Sequence, residues 1–304
     1  SGFRQNELLL GYASSTNFAT VWGLGAGGQA ATTSATATYL TAIGYRALNA
    51  NTSGVRNTAL GYSSLSAIKT TNDSTAVGYN ALLLDTGGSN TALGSYAGDA
   101  ITAGTGNIAI GLNALGLVST GYSNIGIGNG AGDAITTTGD GNVFIGDAAG
   151  GALISTDYST AVGHSALLSN TAAQITAVGA YSLDANISGV RNTALGYQSL
   201  SAIVTANDST AVGYNALALG TGGGNTAVGT YAGDELTSST DNTAVGFAAL
   251  SAASGSYNVA VGRGALFSNT ASSNTAVGYA ALYTNSSGVR STAVGYNALN
   301  AIVT

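Results

Sequence analysis

The ten residues "SNTAVGYAAL", Ser273 to Leu282, return along the whole chain in closely related forms. "DSTAVGYNAL" ends at Leu82, "GNTAVGTYAG" at Gly233 and "RSTAVGYNAL" at Leu299. Apolar residues on alternate positions, followed by glycine and then by polar residues, are typical of a short strand that ends in a turn. Because the motif recurs so regularly, it predicts stacked structural repeats rather than an ordinary globular domain.

The glycine of this motif serves as a marker for the repeat. It recurs at intervals of 16, 17 or 18 residues from Gly11 to Gly295, which gives eighteen units. The markers are Gly11, Gly28, Gly44, Gly61, Gly78, Gly94, Gly111, Gly128, Gly146, Gly163, Gly179, Gly196, Gly213, Gly229, Gly246, Gly262, Gly278 and Gly295. A corner with positive φ, or close contact with another backbone, explains a glycine at this position, because each excludes a Cβ.

The other positions of the unit suggest two strand faces. Val, Ile or Leu precedes the marker in seventeen of eighteen units, and Thr stands three residues before it in twelve. Ala stands two residues before the marker in fifteen units, and Leu stands four residues after it in twelve. We expect the Val, Ile and Leu side chains to form the core together with Thr. The Ala ladder then lies on the opposite face, where small side chains let another chain approach closely.

A unit of about 17 residues cannot bury an aliphatic ladder alone, whereas stacked units make that ladder continuous. The sequence therefore predicts an all-β fold, a parallel β-solenoid of about 18 coils of 16–18 residues. We expect a single repeat domain over residues 1–304, with irregular, divergent coils over residues 1–39. A longer repeat relates Leu40 to Ile175, and a third copy begins near Ser287. We expect the natural protein to extend beyond at least one end of this chain.

Composition excludes several classes of function. The chain has 46 Gly, no Pro, no Cys and no Met, with 7 basic and 13 acidic residues and a net charge of -6. So few cations predict no nucleic-acid partner. A hydrophobic content of 45% argues against disorder. No apolar run approaches the roughly 20 residues of a membrane helix, so no membrane span is predicted.

Several units carry a family resemblance. "GNIAIG" (Gly106 to Gly111), "SNIGIG" (Ser123 to Gly128), "GNVFIG" (Gly141 to Gly146) and "YNVAVG" (Tyr257 to Gly262) resemble the N-S-V-A-I-G coil signature of YadA-like trimeric autotransporter adhesin heads. The "NTAVGYNAL" form is similar to repeats in the shafts of bacteriophage tail fibres. The resemblance covers essentially the whole chain, although its coils are longer and Thr often replaces Val. It implies a left-handed parallel β-roll, three identical chains side by side, and a role in reaching and holding a surface.

Two columns of residues are candidates for contact with partners. The predicted homotrimer interface is the Ala ladder: Ala42, Ala59, Ala76, Ala92, Ala109, Ala161, Ala177, Ala194, Ala211, Ala227, Ala244, Ala260, Ala276 and Ala293. The candidate surface-binding aromatics follow the marker: Tyr45, Tyr62, Tyr79, Tyr197, Tyr214, Tyr279 and Tyr296. These rings offer a track for a cell-surface glycan or protein receptor, but stacked Tyr also stabilises neighbouring strands without a ligand. We favour the structural interpretation.

Catalytic and cofactor motifs are weak. "GLGAGG", Gly23 to Gly28, matches a dinucleotide fingerprint, but no helical pattern follows it. His164 is the only histidine, so a zinc site or a Ser-His-Asp triad would depend on it alone. The repeat also lacks the G-G-x-G-x-D pattern of calcium-binding β-rolls. A Thr column is typical of ice-binding faces, but here Thr exchanges with Val and Ile, so we interpret it as buried or half-buried.

A polysaccharide-degrading solenoid is the enzyme alternative, because two carboxylates on adjacent coils would flank a sugar bond. Asp99, Asp133, Asp184 and Asp234 share one position in the unit, but no two of them belong to neighbouring coils. Asp133 and Asp147 lie on successive coils, so the sequence leaves open a carboxylate pair formed by these two residues. We interpret these residues as turn residues that accept hydrogen bonds from their own backbone. We predict that the chain is not an enzyme and has no catalytic residue, metal or cofactor.

The resulting expectation is an extracellular fibre at a cell surface or on a virion, of the phage tail-fibre or bacterial adhesin type. The alternative is the subunit of a self-assembling extracellular filament, in which open solenoid ends stack on the next molecule.

Overall fold

The computed structural model of the chain describes residues 2–5, 8–14, 18–28, 37–134, 139–152 and 157–302. The chain divides into two compact units, Ser1–Tyr158 and Ser159–Thr304. The described residues form strands and turns without a helix. They build a parallel β-solenoid of about 16 turns, so the predicted fold class is confirmed with fewer turns than expected.

In the first unit, one short strand per turn pairs in parallel with the next from β3 to β10. The register places each repeat position opposite itself, with Thr58 against Thr75 and Ala59 against Ala76. The strands are β1 (Gly2–Gln5), β2 (Leu8–Ser14), β3 (Ala19–Trp22), β4 (Thr41–Ile43), β5 (Thr58–Leu60), β6 (Thr75–Val77), β7 (Thr91–Leu93), β8 (Ile108–Ile110), β9 (Ile125–Ile127) and β10 (Val143–Ile145).

The second unit repeats this arrangement, with Thr210 opposite Thr226 and Val212 opposite Val228. Its strands are β11 (Thr160–Val162), β12 (Thr176–Val178), β13 (Thr193–Leu195), β14 (Thr210–Val212), β15 (Thr226–Val228), β16 (Thr243–Val245), β17 (Val259–Val261), β18 (Ser268–Asn269), β19 (Thr275–Val277), β20 (Thr284–Asn285), β21 (Thr292–Val294) and β22 (Ala301–Ile302). Strands β18, β20 and β22 form a separate short parallel sheet.

The first turn begins later than the repeat count predicted. Strands β1 and β2 are antiparallel, and Gly11 lies within β2, opposite Trp22 of β3. The corner that follows β3 is Gly23, with φ 133°, and a Cβ there would lie 2.5 Å from the carbonyl oxygen of Gly44. Gly11 and Gly28 are therefore not corner glycines. The sequence Thr-Val-Trp-Gly that ends at Gly23 is the true first copy of Thr-Ala-Val-Gly, with larger side chains that hid it.

Between Gly44 and Gly278, the corner glycines with a described Cβ environment meet both predicted requirements. Gly61 and Gly78 have φ values of 139° and 141°, a region that L side chains rarely adopt. A Cβ on Gly61 would lie 2.2 Å from the carbonyl oxygen of Gly78 in the next turn. Since the obstacle is backbone, no side-chain rearrangement makes room for it.

The two faces of the strand are the reverse of the prediction. The central Ala of each strand points inward, and Ala42 and Ala59 are fully buried. The segment that follows the corner lies opposite the strand, and we call it the facing wall. It contributes the Leu after the corner, and Leu48 is fully buried as well. Thr and the Val, Ile or Leu before the corner point outward. The interior of one turn is narrow, so the strand contributes Ala because the facing wall already contributes Leu.

Two exceptions show how closely the walls match in size. Phe144 replaces Ala and is fully buried where Gly132 replaces Leu. A Cβ on Gly132 would lie 2.6 Å from Cδ2 of Phe144. Gly126 replaces Ala opposite Leu115, and a Cβ there would lie 2.8 Å from the Leu115 Cγ. A larger side chain on one wall is thus compensated by a smaller one on the other.

A column of buried asparagines supplies the polar part of the interior. The backbone N–H of Asn107 donates to Oδ1 of Asn90 over 2.9 Å, and its Nδ2 donates to the Gly121 carbonyl over 2.8 Å. Oδ1 of Asn107 in turn accepts from the backbone N–H of Asn124 over 3.0 Å. The second unit has the same ladder at Asn225, Asn242, Asn258 and Asn274. These amides satisfy buried backbone groups that lie outside the strand ladder.

Candidate interaction surfaces

The alanines predicted to contact another chain are not on the surface. All fourteen have exposed fractions of 0 to 3% within their own unit. They pack against the buried leucines of the facing wall, so no neighbouring chain reaches them. The prediction that this ladder forms an oligomer interface is therefore wrong, because it rested on the reversed assignment of the strand faces.

The outward strand face is the apolar surface that the repeat pattern predicted to lie in the core. We call the Thr and the Val, Ile or Leu that flank the central Ala of each strand the outward sheet face. Leu93 is 50% exposed and Leu195 is 48% exposed, next to Thr91 and Thr193 at the surface. Single exposed leucines are common, but an unbroken column of them is a patch.

The size of the outward sheet face can be estimated from strand geometry. Eight stacked strands of three residues, at roughly 4.8 Å between strands and roughly 3.3 Å per residue, cover about 400 Å² in the first unit. The largest apolar patch of a typical monomer covers roughly 300–600 Å² and is often functional, and the outward sheet face lies in that range. The polar component is the Thr hydroxyl, which lies in a parallel column beside the aliphatic one.

The tyrosine column is exposed and stacked. The rings of Tyr45, Tyr62 and Tyr79 follow one another at 5.1 Å between centroids, with interplanar angles of 20° and 12°. Tyr197 and Tyr214 stack at 5.4 Å. The stacked ring faces are covered by their neighbours, so within each stack ring edges and hydroxyls are what the column offers to solvent. This geometry fits the structural interpretation, and a glycan role for the column stays a prediction.

The candidate carboxylates do not pair as the spacing allowed. Asp99 and Asp133, from alternate turns, border one groove of about 330 Å³ together with Asn113. Asp147 is not among the residues that line it, and its Oδ1 accepts a hydrogen bond of 3.0 Å from Nδ2 of Asn129. Burial raises the pKa of the Asp99 and Asp133 carboxyls. Asp99 also accepts from its own backbone N–H, as predicted for a turn residue.

The other two aspartates at this position behave similarly. Burial raises the pKa of Asp184 and of Asp234, and each carboxylate accepts from its own backbone N–H. The Ser251 hydroxyl donates to Oδ1 of Asp234 over 2.5 Å. These contacts are those of turns that carry an Asx hydrogen bond.

The remaining candidates for chemistry have structural surroundings. The His164 ring lies edge-on to Tyr181 at 5.1 Å between centroids, in the column that Tyr occupies elsewhere. Across the segments that the structure describes, no three His, Cys, Asp or Glu side chains come together as a metal site would require. In "GLGAGG", Gly23 is a corner glycine, and the residues directly after Gly28 lie outside the described ranges.

No family model matches the chain, and no curated protein matches it. The described segments contain no helix with the length and hydropathy that crossing a bilayer requires.

Proposed function

We propose that the chain is part of an extracellular attachment fibre, of the phage tail-fibre or bacterial adhesin type. In this proposal, three copies associate side by side through the outward sheet face. The observation that carries the proposal is the exposure of this face: an aliphatic and Thr column follows the strands of each unit, and among the residues that the structure describes none covers it.

The outward sheet face is large enough for its burial to offset the cost of association. Fully burying one Val or Leu side chain contributes about 1.5–3 kcal/mol, and each turn presents one such side chain. Eight turns contribute about 12–24 kcal/mol if these side chains become fully buried, which is of the same order as the 4–15 kcal/mol or more that association costs. A parallel, in-register assembly repeats the same contact in every turn, as closed rotational symmetry requires. The resemblance of the coils to trimeric adhesin heads supports three as the number of chains.

The columns that recur in every turn suit a structural role. They consist of Ala, Thr, aliphatic residues, Asn and Tyr, and none provides a positioned acid and base as glycoside hydrolysis requires. Instead, the chain carries few charges, and the inward side chains of the strand and of the facing wall match in size. Together these features specify the same turn geometry many times over. We therefore expect no release of reducing sugars from bacterial capsules or lipopolysaccharides.

The interface is tested with a pair of outward substitutions, Val212→Lys and Val228→Glu. These positions are direct neighbours in register, so the introduced charges attract each other within one chain. Buried in an interface, they lose hydration, and we expect the assembly to dissociate into folded monomers. Light scattering coupled to gel filtration gives the mass, and circular dichroism reports the fold.

Thr221→Glu is the matched control, because it places a charge on an exposed turn of the same unit. It should leave a trimer intact. A parent chain that is monomeric at micromolar concentration, or a trimer that survives the double substitution, would contradict the proposal. Open-ended polymers in place of a closed species would favour the filament alternative.

A further inference from the structure

One stretch of the second unit interrupts the aromatic column. Arg263 stands directly after a corner glycine, where Phe247 stands one turn earlier and Tyr279 one turn later. Its guanidinium carbon lies 5.1 Å from the centroid of the Phe247 ring. Tyr279 stacks on Tyr296 with one face, at 5.1 Å, and borders the gap with its other side.

A cleft of about 160 Å³ opens at this interruption. We call it the Arg263 cleft, and it is lined by Phe247, Ala248, Arg263, Gly264, Phe267, Tyr279, Ala280 and Tyr283. Its floor is formed by the residue two after the corner in three consecutive turns, which is small in each; most other turns carry Asn, Ser, Gln, Arg or Tyr there, although Gly130 and Ala148 are also small. Its second wall is the pair Phe267 and Tyr283, stacked at 5.0 Å with an interplanar angle of 6°.

The cleft is held by the backbone of three adjacent turns. The N–H of Gly264 donates to the Phe247 carbonyl over 3.0 Å, and the N–H of Ala280 donates to the Arg263 carbonyl over 2.9 Å. A Cβ on Gly264 would lie 3.2 Å from Cε2 of Tyr283, so the glycine allows this ring to lie close above the floor. The walls are therefore positioned before any ligand arrives.

The charge in the cleft is unbalanced. No carboxylate lines it, and within the described part of the chain Arg263 forms no ion pair, unlike Arg56 and Arg191, which pair with aspartates. A guanidinium that stacks on an aromatic ring still presents its N–H groups along its edge, and their planar fork matches a carboxylate. In a chain with a net charge of -6, this site is locally suited to an anion.

We propose that the Arg263 cleft binds a carboxylate-bearing pyranose, that is, a hexuronic acid residue of a surface polysaccharide. An enclosed cavity of about 150 Å³ holds one benzene ring, so this open cleft is of the scale to take one side of a pyranose ring while its hydroxyls stay in solvent. The negative face of an aromatic ring attracts the weakly positive C–H groups of a sugar, while Arg263 takes the carboxylate. The biological sense of this inference rests on the proposed attachment role, although every lining residue comes from one chain.

Binding is measured by isothermal titration and by saturation-transfer NMR with trisaccharides of galacturonic, glucuronic and mannuronic acid. The methyl ester of each acid is the neutral control of equal shape. We expect at least one acid to bind, its ester to bind about tenfold more weakly, as loss of one charge-assisted pair implies, and inorganic sulfate not to compete at equal concentration.

Three variants localise the site. Arg263→Tyr introduces the side chain that is commonest at this position and should abolish discrimination between acid and ester. Ala280→Asn should block the floor without backbone strain, because Asn80 and Asn215 adopt the same positive φ at this position. Arg46→Gln is the matched control: Arg46 also lies over a ring, at 5.2 Å from Tyr45, but the position five after its corner is Asn49, where the cleft has Phe267.

The inference is overturned if no uronic acid binds, if Arg263→Tyr leaves the preference for the acid unchanged, or if sulfate displaces the sugar equally well. Oligomeric mass is measured on the same samples, so the two proposals fail separately. A trimer that binds no acidic sugar refutes the cleft alone, whereas a monomer that binds one refutes the proposed assembly alone.

Discussion

The inward and outward faces of one strand follow different rules. In β13, Ala194 is fully buried and Leu195, one residue later, is 48% exposed. Usually, the larger apolar side chain of such a pair faces the core. Here the facing wall supplies Leu, so size rather than hydrophobicity decides which residue points inward. The residue type on the inward face is therefore set by the side chain that the facing wall supplies. The residue type on the outward face is set by whatever covers that face.

The largest expected difference between the faces is the response to a charge. Ala211→Glu places a carboxylate in a filled interior without a partner, and we expect the second unit to lose several kcal/mol of stability or to unfold. The matched outward change, Val212→Glu, should cost less than about 1 kcal/mol in an isolated chain, because the side chain reaches water. Thermal and urea unfolding followed by circular dichroism measure both. A folded, merely dissociated Ala211→Glu protein would restore the original interface assignment.

A second experiment tests whether the two inward walls are matched in volume. Phe144→Ala alone should cost about 3–5 kcal/mol through a cavity, and Gly132→Leu alone about 1–3 kcal/mol through overpacking. Together they recreate the Leu and Ala pair found in most turns, so most of the loss should be recovered. Recovery will be incomplete, since Leu at the positive φ of Gly132 costs about 1 kcal/mol more than Gly.

The measurement is a double-mutant cycle on the free energy of unfolding. If the side chains at positions 144 and 132 compensate each other in volume, the cycle should show a large favourable coupling energy between the two positions. As a control, Phe144→Ala combined with an outward change at Thr160, in the other unit, should show additive losses. Additive losses for Phe144 with Gly132 would mean that the walls do not compensate each other.

Much of the fold was visible in the sequence. The period gave the parallel, in-register ladder, and both reasons proposed for the corner glycine apply at Gly61. The Leu column after the corner was also visible as a repeated position, although its burial, as at Leu48, was not predicted. These features follow from local backbone conformation and from stacking. Both are directly visible when the same residue type recurs at the same position of every repeat.

The strand faces and the polar interior were not predicted. Alternation shows that Ala42 and Ile43 point opposite ways, but not which of them faces the narrow interior; that depends on Leu48 across the turn. The Asn column that contains Asn107 was visible in the repeat. An Asn before a strand is equally typical of a turn, however, so the column did not predict a buried ladder. The Arg263 cleft requires three turns to be seen together, so no single repeat unit reveals it.

The smallest expected effect concerns the pH dependence of stability, and it compares a buried aspartate with an exposed one in neighbouring turns. Asp73 is exposed, and its hydrogen bond with Arg56 lowers its pKa. Asp85 is fully buried, and burial raises its pKa, although Ser74 and the N–H of Gly87 donate to the carboxylate. The two carboxyls should therefore give the unfolding equilibrium opposite dependences on pH.

For Asp85, the unfolded chain loses its proton first, near pH 3.9, so stability falls as pH rises from there through the higher folded pKa and stays reduced above it. Asp85→Asn removes this cost, and Asn already occupies the equivalent interior position at Asn51, where its Oδ1 accepts from the Gly54 N–H. We expect the variant to melt higher than the parent at pH 7 and to lose that advantage near pH 3; each 1 kcal/mol corresponds to about 2–4 °C. Asp73→Asn is the control with the opposite sign, because the stability of its ion pair is present above the unfolded pKa and is lost as pH falls through the lowered folded pKa. Equal melting shifts for Asp85→Asn at both pH values would show that Asp85 stays protonated throughout, or that its hydrogen bonds fully replace water, and the contrast between the interior and the surface would not extend to charge.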